Sequence, residues 1–111
     1  GTRNVRRFGK VIKLKEDQFD AYKKLHDGAG VRDLLTAISI RHFNIFLQRV
    51  LDGEFYEFAC YEYTGDNFDA YIARLASEPR NKEWHRLCDP MQNPFPGSTG
   101  WSDMEQIFFN A

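Results

Sequence analysis

Tyr22 and His26 stand four residues apart in an amphipathic stretch, a spacing that sets a phenol and an imidazole side by side on one helical face. Imidazole titrates near neutral pH unaided, and a phenol that keeps its proton can donate it to a polar oxygen. Two proton carriers in contact suit acid/base work on a polar substrate. Packing with a satisfied hydrogen bond is the commoner use of such a pair, so spacing alone leaves both readings open. His26, His42 and His85 lack a second ligand at HxH, HxxxH or HExxH spacing, and no metal site is expected. Glu57 with Glu62, and Asp66 with Asp69, read as strand and helix surface charge rather than as a glycosidase-like carboxylate pair.

A scaffold must hold these groups, and 111 residues that are 42% hydrophobic and 15% aromatic describe one domain over residues 1–111 with a single core. A formal net charge of -1 offers no basic field for nucleic acid or anionic membranes, and no apolar run is long enough to span a bilayer. Gly1 to Asn4 lacks the features of a secretory signal, so a cytoplasmic setting is expected. Cys60 and Cys88 are too few for a disulfide scaffold and read as reduced, partly buried small hydrophobes. Lys and Arg along residues 3–15 suit a charged edge that discourages aggregation, and no phosphate-cradling glycine loop is present.

Arg6 to Lys15 has the two-residue period of a strand, and Glu16 to Asp27 gathers Phe19, Tyr22 and His26 on one helical face. Asp27-Gly28-Ala29-Gly30 interrupts that helix immediately beside His26, and Leu34, Leu35 and Ile38 suggest a short second helical piece. His42 to Leu51 and Glu54 to Tyr63 form a hairpin about Asp52-Gly53, with Phe43, Ile45 and Leu47 on one face and His42, Asn44, Phe46 and Gln48 on the other. Phe68, Tyr71, Ile72 and Leu75 have helical spacing, Pro79 suits the first turn of a helix reaching Met91, and Met104 to Phe109 reads as a closing strand.

The order is β-α-β-β-α-β with an extra helix, an α+β fold with the ferredoxin-like split βαβ sheet. Tyr56, Phe58 and Cys60 oppose Ala59, Tyr61 and Tyr63, so both sheet faces carry apolar weight. A second copy of the chain would cover the face away from the helices; a half-open sheet lining a deep ligand pocket is the alternative. Gln92 to Gly100 holds prolines and glycines and reads as a loop, either a lid or a surface crossover. Trp84 and Trp101 flank it, and their rings suit either core packing or the apolar faces of a sugar.

Taken together, RFGKVIKLK at 7–15, AYKKLH at 21–26, IRHFNIFL at 40–47, YEYTGDNFDAYIARLASEP at 61–79, EWHRLCDPMQNPFPG at 83–97 and WSDMEQIFF at 101–109 resemble the L-rhamnose mutarotase family. The family's Tyr-x-x-x-His motif falls on Tyr22 and His26. Where the family carries a Trp-Pro pair, this chain has Asp27-Gly28-Ala29-Gly30-Val31, and one tryptophan of each family pair is kept as Trp84 and Trp101. The resemblance implies a dimeric α+β barrel that interconverts the α and β anomers of a 6-deoxyhexose such as L-rhamnose, with no metal or organic cofactor. His26 would be the main acid/base group and Tyr22 its partner. Trp84 and Trp101 would stack on the sugar, and His42 or Asn44 would hydrogen-bond its hydroxyls. A sugar-binding dimer without turnover and a cofactor-free monooxygenase of similar architecture are the competing classes.

Overall fold

The computed structural model describes residues 5–110. The chain forms β1 (Arg6–Leu14), a single 3-10 turn, α1 (Phe19–Asp27), α2 (Arg32–Ala37), β2 (Ile40–Arg49) and β3 (Phe55–Tyr63). It continues through α3 (Phe68–Ser77), α4 (Pro79–Cys88), a second 3-10 turn (Asp89–Met91), β4 (Gln92–Asn93) and β5 (Ser102–Met104). The antiparallel sheet has the order β2-β3-β1-β4, with β5 also on β1, as the split βαβ reading requires.

Register assigns the faces. Phe8, Lys10, Ile12 and Leu14 of β1 oppose Tyr61, Ala59, Glu57 and Phe55 of β3, and this is the face that the helices cover. Two residues of β2, His42 and Phe43, oppose Tyr61 alone, a bulge in which His42 takes φ 53°. The bulge shifts the phase of β2, so Ile40 and Ile45 both face the helices although their offset along the strand is odd. That phase break is why simple alternation places the strand's start at His42 instead of Ile40.

The helices are held by local chemistry. The side chain of Asn67 caps α3 by accepting from the Ala70 N–H at 3.3 Å, and Pro79 opens α4 where its missing N–H costs nothing. The Arg32 guanidinium donates to the carbonyls of His26, at 2.9 Å, and Gly28, satisfying the open end of α1. Arg80 at the start of α4 pairs with Asp33 of α2 and donates to Gly30 O, tying the glycine segment to two helices.

Four expectations need correction. The helix from Pro79 stops as an α-helix at Cys88, and Gln92 and Asn93 leave the expected loop to pair with Leu14 and Lys13 as β4. The closing strand covers only Ser102–Met104; the rest of the expected Met104–Phe109 strand has no ladder partner among the described residues, because alternation reports side-chain preference and not whether a neighbouring edge exists. The single core is two buried clusters, one around Leu14, Tyr22 and Cys88 and one around Ile38, Ile40 and Tyr63. A cavity between sheet and helices touches both.

Candidate active site

The cavity has a volume of about 710 Å³, within the usual size of small-molecule sites. Lys10, Ile45, Ala59 and Tyr61 of the sheet form its floor, Tyr22, His26, Trp84 and Cys88 line it from α1 and α4, and Trp101 closes in from the segment before β5.

Within it, the Tyr22 and His26 rings stack at 4.1 Å, and Trp84 meets His26 edge-on at 4.9 Å. His26 Nδ1 lies 2.8 Å from the Tyr22 carbonyl oxygen. A carbonyl only accepts, so Nδ1 carries the hydrogen and Nε2 keeps its lone pair. Burial holds the imidazole below its ordinary pKa, and the Arg32 charge adds to this against the opposing Tyr22 carbonyl. At neutral pH His26 is therefore a neutral base with Nε2 available. Burial, and next the Glu57 carboxylate, push the Tyr22 phenol far up, so it keeps its proton.

Glu57 and Gln92 complete this cluster, and neither was identified from the sequence. Gln92 Nε2 donates to the Tyr22 hydroxyl at 3.2 Å and to Glu57 Oε2 at 3.0 Å. Glu57 is 1% exposed, which corrects its reading as surface charge. Burial pushes its carboxyl up to about 7, against the hydrogen bonds from Tyr22 and Gln92. The signal that could have found it is parity: Glu57 shares the two-residue phase of Ala59, Tyr61 and Tyr63, the apolar set of β3. Gln92 carried no such signal, since its strand is two residues long.

His42 and Asn44 also border the cavity, but their side chains are bonded elsewhere. His42 Nδ1 lies 2.7 Å from Glu62 Oε1, and Asn44 donates to the carbonyls of His42 and Cys60 and accepts from Cys60 Sγ at 3.1 Å. Their side chains engage the sheet face away from Tyr22, as the register of Asn44 with Cys60 dictates. Cys60 is exposed instead of partly buried, while Cys88 is buried with its thiol pushed up to about 12. Among the described residues no group of three or more His, Cys, Asp or Glu is placed to hold a metal ion. No helix among them is long and apolar enough to cross a membrane.

An antiparallel sheet whose helix-covered face packs against a buried tyrosine and a partly buried histidine defines an α+β fold with the site between its two layers. The family model described as L-rhamnose mutarotase matches residues 7–109, and the chain belongs to that family. The fold is similar to the crystal structure of an L-rhamnose mutarotase from Formosa agariphila, with a TM-score of 0.71 at 23% identity over 96% of this chain and 99% of that one. No curated protein matches the chain.

Proposed function

We propose that the protein is a mutarotase that interconverts the α and β anomers of L-rhamnose or a related 6-deoxyhexose. Opening the cyclic hemiacetal requires a base for the anomeric hydroxyl proton and an acid for the ring oxygen. His26 is the base through Nε2, and Tyr22 donates to the ring oxygen; the free aldehyde turns and recloses on its other face as the protons return. Trp84 and Trp101 offer apolar surface to the sugar ring. The observation that carries the reading is the neutral His26, its Nε2 unbonded among the described residues, stacked on Tyr22 in a sugar-sized hollow. The reaction asks only for proton transfer and free rotation of the opened chain. A cytoplasmic homodimer, joined through the sheet face away from the helices, completes the proposal.

NMR exchange between the anomeric protons of several 6-deoxyhexoses tests it. The parent should accelerate exchange for at least one sugar, and His26→Ala should reduce it by about 10² or more. Tyr22→Phe should keep the fold and slow exchange as well, because only a hydroxyl is removed. Binding without acceleration for every sugar would favour the non-catalytic reading, and oxygen uptake with quinols the monooxygenase.

A further inference from the structure

Glu57 sits on the inner face of β3 between its register partners Ile12 of β1 and Leu47 of β2. A carboxylate so deeply buried is ordinarily paired or fully hydrogen-bonded. Here Oε2 accepts from Gln92, and Oε1 has no hydrogen-bond partner among the described residues. The same Gln92 nitrogen donates its other hydrogen to the Tyr22 hydroxyl, so one amide bridges acid and phenol, and once Glu57 is protonated the Tyr22 O–H no longer has to serve the carboxylate and is free to give. Glu57 and Tyr22 are close enough that each alters the other's proton affinity by hydrogen bonding. A phenol that surrendered its proton here without replacement would be left as a buried phenolate, an anion that desolvation strongly disfavours. Tyr22 donates without that penalty only if it is reprotonated in the same step.

We propose that Glu57, oriented by Gln92, is the proton store behind Tyr22, a positioning and supplying residue that acts through the phenol and not on the sugar. The proposal rests on the mutarotase reading. On ring opening, His26 Nε2 takes the anomeric hydroxyl proton, the C1–O5 bond breaks as Tyr22 protonates the ring oxygen, and the Glu57 carboxyl proton moves to Tyr22. On closure O5 attacks the aldehyde carbon from the other face, Tyr22 takes the O5 proton while returning its own to Glu57, and His26 reprotonates the anomeric oxygen. Electrons and protons balance without another reactant. The other titratable groups against the cluster are His26, stacked on Tyr22, and Cys88 of α4 with Asp89 behind it; Cys88 stays a neutral thiol at these pH values. Ile12 and Leu47 contribute no charge.

Two measurements test this on the intact protein. Exchange rates from pH 4.5 to 9 should show the parent losing activity on the alkaline side near pH 7, as Glu57 gives up its proton. Glu57→Gln should lose that alkaline limb and fall at least about tenfold in kcat at pH 6, with little change in KM. Carbon-13 carboxyl NMR should find Glu57 titrating near 7 in the parent, and higher still in Tyr22→Phe, because the phenol's hydrogen bond lowers it. Retention of rate and alkaline limb in Glu57→Gln, titration near 4.5, or indifference to Tyr22→Phe would each overturn the relay. The carboxyl titration needs no variant at Glu57, so it decides even if Glu57→Gln does not fold. It also needs no activity, so a parent that accelerates no sugar would sink the mutarotase reading and leave the Glu57–Tyr22 coupling separately measured.

Discussion

At Glu57 the cost of burying an acid becomes a dependence of stability on pH. Its carboxyl rises from 4.5 to about 7 on folding, so between those values the folded chain binds more protons than the unfolded one. The resulting stabilisation is complete below pH 4.5 and lost as pH rises through about 7. The shift corresponds to about 3 kcal/mol. Urea denaturation at pH 4.5 and pH 8 should show the parent losing about that much more stability than Glu57→Gln over the same range. His26 has the opposite sign, since its lowered pKa costs stability as pH falls, and comparison with Glu57→Gln cancels it. The Tyr22–His26 pair was legible because helical spacing is local, and the whole of their contact lies within α1. Glu57 was obscured by its residue type: charge on a strand usually faces water, and only its phase against Ala59 and Tyr61 pointed inward.

Between α1 and α2, the glycine segment is an element in its own right. Gly30 has φ +57°, and a Cβ there would lie 3.2 Å from the Trp84 ring. Gly30→Ala should therefore combine backbone strain with pressure on the indole, costing about 1–3 kcal/mol in denaturant unfolding. It should also displace Trp84 from His26, visible as a change in tryptophan fluorescence and a slower anomer exchange. Strand and helix order followed from periodicity for β1, α1, β3 and α3, where each element keeps one phase throughout. The exceptions are places where a neighbour decides: the β2 bulge, the two-residue β4 and the early end of β5. Pairing across the sheet supplies that information, and no local pattern contains it.

Over the whole molecule, the face of the sheet away from the helices is the unfinished surface. Phe46 is 65% exposed there, and beyond β5 Ile107 and Phe108 are 89% and 80% exposed. Exposed aromatic and aliphatic groups of this kind support the proposed homodimer. Sedimentation at micromolar concentration should give a dimer, and Phe46→Glu should shift it to monomer; a monomeric parent would count against the assembly. On the opposite edge of β1, β4 and β5 are two halves of one strand: Gln92 and Asn93 pair with Leu14 and Lys13, and Ser102 to Met104 with Val11 to Gly9, leaving only Ile12 between them. Residues 94–101 are thus an excursion pinned at both ends to a single template. Such a segment is an exchangeable cassette: its length and composition can drift over generations, remodelling the cavity wall at Trp101. The anchor bearing Gln92 stays fixed meanwhile, so the shape of the cavity and its Tyr22–Gln92–Glu57 cluster can be inherited separately.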